Sequence, residues 1–521
     1  MNNGIDEEST KKKKSKNLIL LIVIGFITVA IFVVWTIKIK DVPKKGSTII
    51  TNNKENNEEN NEYATYHISS NKLEPFDTYF LKFDNTKKNK IYSPLAIKNG
   101  LVMLQEGTKG DSNKQISDII GSYNVNKYEN SKHLSLNNFL FIKDIFADGI
   151  KDSYINKLKN DYNAEIVYDS FTSPENINHY ISEKSFNLIN DMFDDISDKD
   201  FMLSNVLSID MDWVNKIQNI NEFYNISFPH KKFLNIIEPL DGGGYTKLSF
   251  EGCDYDVNAV QIGAVINRYD IIKDLGEDKI RSIVKDEYIT WLKESGEEIN
   301  DVYINQYLDE YITEIDNFDN FSSSTDFEFY VDDDVKLFAK DLKEYDGTTL
   351  QYIGIMPIKE KLSNYIDNIG DLNNLINNLK EIKLDNFKNG VITNIIGNIP
   401  LFKFDYEMDL KDQFKELGIV DVFDRDKADL SNLTDDNASI DSAKHKATIE
   451  FSNEGIKASA AFTVGGAGDA GCGFEYIFDV PVEKIDLTFD KPFLFLIRDK
   501  DSGEVWFTGT VYEPIKYELG E

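Results

Sequence analysis

The chain has 521 residues and a formal net charge of -33, with 90 acidic against 57 basic side chains. That length can bury a sizeable core, and that charge would repel a phosphate backbone, which argues against nucleic-acid binding. Two cysteines, Cys253 and Cys472, give neither a disulfide framework nor metal-ligand spacing. Five scattered histidines (His67, His133, His179, His230, His445) fall in no nucleophile or metal motif, so no cofactor is expected.

Leu18–Ile37 is a run of 20 largely apolar residues, long enough to span a bilayer. Lys11–Lys14 and Lys16 precede it, and no small-residue cleavage site follows, which predicts an uncleaved anchor rather than a removed signal. A basic head inside and a large domain outside is the expected topology, although Lys38, Lys40, Lys44 and Lys45 blunt the charge asymmetry. Thr51–Glu62 is polar and of low complexity, the composition of a tether.

Further along, Ser93 is a good helix cap and Pro94 suits a first helical turn. Leu95, Ile97, Leu101, Met103 and Leu104 then supply an apolar face, and Gly107 and Gly110 bracket the end. Val257–Ile266 reads as a strand. Asp278–Ile312 reads as one or two acidic amphipathic helices, with Ile280, Ile283, Val284, Tyr288, Trp291 and Leu292 at helical spacing.

From Gly455 onward the residues alternate. One face would carry Ile456, Ala458, Ala460, Phe462 and Val464; the other would carry Lys457, Ser459, Ala461 and Thr463. Period two with one apolar face is the pattern of a strand that buries one side. A Gly-rich stretch follows. Its Gly466–Gly471 satisfies the dinucleotide-binding pattern, but that pattern needs a helix after it, and Cys472–Pro481 is rich in aromatic and β-branched residues, a strand signal.

The order of these C-terminal features resembles the serpin family. The segment His445–Gly455 carries a histidine, Ala458–Ala461 are small, a long loop follows, and Asp490–Arg498 and Val505–Val511 close the chain. Ile91–Ile97, Asn138–Ile142, Tyr162–Tyr168, Met202–Trp213, Asp326–Val331, Leu350–Pro357, Phe414–Phe423 and Asp426–Asp429 resemble further landmarks of that family. The resemblance implies an α+β serpin-like fold with a large central β-sheet, two further sheets, surrounding helices and an exposed reactive loop, here preceded by one transmembrane helix. The implied organisation is a basic cytoplasmic head at 1–17, an anchor at 18–37, a linker at 38–66, a serpin domain at 67–514 enlarged at about 225–325, and a tail at 515–521.

It also implies a role for particular residues. Gly455, Ile456, Lys457, Ala458, Ser459, Ala460 and Ala461 would be the hinge through which a cleaved loop enters the central sheet. Ser93, Asn205 and His445 would be the polar shutter beneath the parting strands. Trp213 would lie near the top of the sheet, at the breach, where the hinge first enters. The family's hinge-to-bond spacing lands on Asp469 and Ala470. The small residues around that bond favour an elastase-like serine protease as partner; an Asp-directed protease would instead take Asp469. The protein itself would be a monomeric suicide substrate and no enzyme, on the outer face of a cell membrane.

The hinge departs from the family's usual residues. Ile456 stands where Thr or Ser is usual, Lys457 where Glu is usual, Phe462 where Thr is usual, and Ala96 where a second shutter Ser is usual; the loop is also longer than usual. Ile456 and Phe462 would have to enter a buried groove, where overpacking costs about 1–3 kcal/mol. These departures keep a second reading open, a non-inhibitory serpin-fold binding or adhesion module. A third, an enzyme using Cys472 as nucleophile, would place its thiol in a flexible Gly-rich loop that lacks the rigid support catalysis requires.

Overall fold

The computed structural model describes residues 66–83, 86–217, 245–266, 269–315, 321–323, 325–345, 347–457 and 478–517. These all lie in one unit, Glu62–Glu521. The apolar run Leu18–Ile37, nearly all of the 38–66 linker and the loop 458–477 lie outside the described residues. Among the described residues, no helix is long and apolar enough to cross a membrane.

In chain order the strands are β1 (Lys90–Tyr92), β2 (Leu134–Lys143), β3 (Glu165–Asp169), β4 (Phe201–Asp212), β5 (Tyr245–Ser249), β6 (Asp256–Ile266), β7 (Phe321–Ser323), β8 (Glu328–Val331) and β9 (Val335–Asp341). Then come β10 (Leu350–Pro357), β11 (Lys380–Glu381), β12 (Ile392–Pro400), β13 (Phe402–Asp409), β14 (Lys444–Phe451), β15 (Gly455–Lys457), β16 (Val482–Asp486), β17 (Phe493–Asp499) and β18 (Val505–Val511). They form three sheets. One runs β13-β14-β15-β4-β2-β3, a second β1-β18-β17-β10-β9-β8-β11, and a third β16-β12-β6-β5 with β7 also on β6.

The alternation of apolar residues decides which face of each strand is buried. On β14, His445, Ala447, Ile449 and Phe451 turn inward while Lys444, Lys446 and Thr448 are more exposed. On β4, Leu207, Ile209 and Met211 join the same core as Ala447, Ile449 and Phe451. That core also takes Tyr352, Phe495 and Trp506 from the second sheet and Val260, Ile262 and Ile395 from the third. The opposite face of the first sheet is covered by the helix Glu175–Lys184, whose Ile177 and Ile181 pack with Phe139, Phe141 and Val206.

The helix Pro94–Gly107 forms as its sequence predicts. Ser93 is its cap, with the side-chain oxygen accepting from the Ala96 N–H at 3.0 Å, and Pro94 loses no helical hydrogen bond in the first turn. The enlarged region contributes β5, β6 and the helices Tyr269–Lys273, Glu277–Ser295 and Asp301–Ile315. Ile280, Val284, Leu292, Ile304, Leu308 and Tyr311 make a separate apolar cluster against Val265, Ile392 and Phe478.

Two boundaries differ from expectation. Phe478–Pro481 is not strand; the strand starts after the proline, at Val482. Phe478 is instead committed to the cluster under the enlarged region, and the Pro481 carbonyl accepts from the Ile392 N–H at 2.9 Å. The expected tail is bonded at its start: Ile515 N–H donates to the Leu401 carbonyl and Tyr517 N–H to the Asp256 carbonyl, each at 2.8 Å.

Candidate functional site

The first sheet has a slot at its centre. Among the described residues no register joins β4 directly to β14; the three-residue strand β15 lies between them. On one side Gly455, Ile456 and Lys457 pair with Asp212, Met211 and Asp210. On the other, Ile456 and Lys457 pair with Phe451 and Glu450.

The turn that leads into β15 is built by short-range chemistry. Ser452 Oγ accepts from the N–H groups of Glu454 and Gly455 at 3.2 and 3.3 Å, and the Ser452 N–H donates to the Gly455 carbonyl at 3.1 Å. Gly455 is required by closeness of approach: a Cβ there would lie 2.2 Å from the Met211 carbonyl oxygen and 2.7 Å from Asp212 Cα. Ile456, expected to need room made for it, is already seated, with 1% exposure in the core that holds Met211, Trp213 and Phe451.

Trp213 is fully buried beside this turn. Its backbone N–H donates to the Glu454 carbonyl and its indole N–H to the Ser452 carbonyl, both at 2.9 Å. Lys216 pairs with Glu454 at 3.0 Å on the exposed side. The structure therefore brings Trp213 and the entry to β15 together.

The Ser93, Asn205 and His445 trio is not one hydrogen-bonded network. His445 Nε2 accepts from the Ser93 backbone N–H at 2.9 Å, while the Ser93 hydroxyl oxygen serves its own helix. An accepting Nε2 requires a neutral ring with its proton on Nδ1. Burial holds the ring in that state, with its pKa lowered from 6.5 to about 4. Asn205 turns elsewhere. Its amide N–H₂ donates to Asn138 Oδ1 and contacts Met103 Sδ at 3.7 Å. The sheet register explains this: Asn205 of β4 lies directly opposite Asn138 of β2.

Asn138 was read from sequence only as the start of a strand landmark, with no role at the site. Its own amide N–H₂ donates to the Tyr162 carbonyl at 2.7 Å, so it ties Asn205 to the end of the helix Asp152–Tyr162. A polar pair, Asn137–Asn138, directly before the apolar run Phe139–Ile142 was the available signal.

Below β15 the slot opens into a cavity of about 230 Å³, between the helix Pro94–Gly107 and the ends of β4 and β14. Ala96, Gly100, Leu101, Asn205 and His445 are among its walls. Gly100 lets Asn205 lie against the helix, since a Cβ there would sit 2.8 Å from Asn205 Oδ1.

The other residues expected at the hinge, Ala458, Ser459, Ala460 and Ala461, those expected at the cleaved bond, Asp469 and Ala470, and Cys472 lie outside the described residues. Among the described residues, no group of His, Cys, Asp or Glu side chains could hold a metal ion.

Comparisons with known proteins agree with this architecture. The family model described as Serpin (serine protease inhibitor) matches residues 78–223 and 320–514, leaving the enlarged region between the two blocks. Human Serpin B3 is 25% identical over 442 residues, covering 84% of this chain and 96% of that relative. Serpin B10 of Rattus norvegicus is 33% identical over 117 residues, which span only 22% of this chain and 27% of that protein. Among solved structures, the thermophilic serpin tengpin matches in its native state with a TM-score of 0.54 at 18% identity, covering 88% of this chain and 96% of tengpin. Thyroxine-binding globulin in complex with thyroxine matches with a TM-score of 0.53 at 15% identity, covering 84% and 96%. At those identities the structural matches establish the fold alone. The family model, matching well over half of the chain, settles the membership: this chain belongs to the serpin family, whose members are generally protease inhibitors rather than enzymes.

Proposed function

We propose that this protein is a membrane-anchored, extracellular inhibitor of serine proteases that acts as a suicide substrate. The observation that carries the reading is β15, a hinge segment already hydrogen-bonded between β4 and β14 and pointing along a slot that no described strand fills. The loop that follows would be the bait. A protease serine Oγ attacks a backbone carbonyl carbon near Asp469–Ala470; the peptide bond there breaks, the residue before it becomes an ester on the enzyme, and the amine of the residue after it leaves with the proton. Freed at that bond, the segment after Lys457 extends β15 down the slot. Each added residue gains sheet hydrogen bonds, every second one buries an apolar side chain, and the attached protease is dragged along before water cleaves the ester.

An elastase-like target is favoured because Ala467, Ala470 and the glycines around them suit a narrow specificity pocket. Leu18–Ile37 would be the anchor and Thr51–Glu62 the tether. Ser93, Asn205 and His445 would act at the shutter and Trp213 at the breach.

The test is to mix the full chain with an elastase-like serine protease and run a denaturing gel. A band that survives denaturation at the summed mass is the expected result, and mass spectrometry of the released peptide identifies the bond. Cleavage without such a band, across elastase-like, chymotrypsin-like and Asp-directed enzymes, would instead support the non-inhibitory binding module, which the unusual Lys457 and the long Gly-rich loop favour.

A further inference from the structure

The enlarged region carries an exposed apolar tip. Its two long helices, Glu277–Ser295 and Asp301–Ile315, lie outside the segments shared with the family and pack on their own apolar cluster. Where they meet, Ile299, Val302 and Tyr303 are 47%, 72% and 67% exposed. Among the described residues eight large hydrophobic side chains are exposed, and three of them fall within these five positions. A single exposed apolar residue needs no explanation, but a cluster marks a contact surface. The tip is firmly built. Gly296 closes the first helix in a left-handed turn (φ 72°), with its N–H on the carbonyls of Leu292 and Lys293 and the Glu297 N–H on the Leu292 carbonyl at 2.9 Å. Asn300 Oδ1 accepts from the Val302 N–H at 2.9 Å and starts the second. Behind the tip Arg281 bridges Glu277 and Asp309 at 2.7 and 2.8 Å, and the ring centres of Tyr288 and Tyr307 are 4.2 Å apart. A surface held in this way loses little freedom on docking.

We propose that this tip docks a basic amphipathic segment of a protein partner, in which arginine or lysine side chains flank an apolar anchor. The proposal is independent of how the loop after β15 behaves. Charge decides among the candidate occupants. Glu294, Glu297, Glu298 and Asp301 are all exposed around the apolar trio, and Lys293 is the one basic residue in that stretch. From Glu277 to Ile315 eleven carboxylates stand against four basic side chains, and Arg281 among the four is already committed to Glu277 and Asp309. A lipid surface offers no net positive charge, and exposed carboxylates would have to be desolvated against it. A second copy meeting tip to tip would set like charges against each other. A basic segment gains on both counts: its apolar residue covers Ile299, Val302 and Tyr303, and its cations meet the surrounding carboxylates. Arginine has an added advantage, since its guanidinium can pair with a carboxylate and lie on the Tyr303 ring at once.

The test titrates the full chain, in a non-ionic detergent, into a fluorescein-labelled amphipathic helical peptide built from leucine and arginine, and reads its anisotropy. The expected result is saturable binding that weakens as salt is added. Val302→Ser combined with Tyr303→Ser should weaken it at least about tenfold although the net charge is unchanged. Both side chains are mostly exposed, so the fold is not at risk. Glu297→Gln, Glu298→Gln and Asp301→Asn together should also weaken it about tenfold and flatten its salt dependence. The same number of charges removed at the exposed Asp144, Asp148 and Asp333, each to Asn, should change the affinity about twofold at most. Equal affinity in wild type and the Val302/Tyr303 variant would reduce the binding to net charge and overturn the proposal, as would no binding at all. Tighter binding of a leucine–glutamate peptide would overturn the charge assignment. A dimer in sedimentation that Val302→Arg disrupts would assign the tip to a second copy instead. With the chain reconstituted in vesicles, quenching of a Val302→Trp reporter by brominated lipid would assign it to the bilayer instead.

Discussion

His445 and Ser93 are 352 residues apart in sequence and joined by one hydrogen bond of 2.9 Å, from a helix-cap N–H to an uncharged imidazole nitrogen. That bond ties β14, one wall of the slot, to the helix beneath it. It exists only while Nε2 carries no proton.

A pH dependence follows from it. The folded ring titrates near 4 and the free side chain near 6.5. Above pH 6.5 both states are neutral and the full stability is present. As pH falls from 6.5 through 4, the unfolded chain takes up a proton that the folded chain refuses, and stability drops by up to about 3 kcal/mol. His445→Gln keeps an acceptor for the Ser93 N–H but does not titrate. Denaturation curves between pH 8 and pH 4 should therefore slope less for the variant than for wild type; parallel curves would refute the assignment.

Gly455→Ala should expel β15 from between β4 and β14. The added methyl would meet the Met211 carbonyl at 2.2 Å, a contact with backbone that cannot rotate away. A cost of about 1–3 kcal/mol is expected. Hydrogen exchange should show the amides of β4 near Met211 and of β15 losing protection while those of β17 and β18 keep theirs.

Trp213→Phe removes the indole N–H that the Ser452 carbonyl accepts and shrinks a fully buried side chain. The loss should be about 2 kcal/mol, since the carbonyl loses a donor and the smaller ring leaves a void. Limited proteolysis should find the 452–457 turn cut faster in the variant than in wild type.

Lys98→Met should cost more, about 3–5 kcal/mol. Lys98 Nζ and Asp77 Oδ1 are 2.7 Å apart, and neither side chain reaches solvent. Burial already pushes the Asp77 carboxyl above its usual range, and Lys98 is the main opposing influence. Removing the cation leaves an uncompensated acid. Urea denaturation should show the loss, and Asp77→Asn combined with Lys98→Met should recover part of it.

Much of the frame was legible because it depends on local pattern. The Ser93–Pro94 helix start, the apolar strand Val257–Ile266, the acidic helices after Asp278 and the alternation at Gly455–Ile456 each follow from the spacing of residues along a helix or strand. The strand that begins at Val482 was placed too early, since the aromatic content of Phe478–Pro481 reports burial of Phe478 under a helical cluster rather than extended pairing. The candidate shutter residues were legible one by one, but their bonding was not. Asn205 answers to Asn138, a residue on another strand, and only the β2–β4 register puts the two opposite each other.

The sequence alone therefore determined most of the elements and the side of each that is apolar, because these are properties of neighbours in the chain. The tertiary structure decided what surrounds each of them. Whether Ile456 is an obstacle or a seated residue depends on Met211 and Phe451, and whether His445 is charged depends on the burial around it and the Ser93 N–H it accepts. Contacts between residues hundreds of positions apart are fixed by packing and register, and no local pattern carries that information.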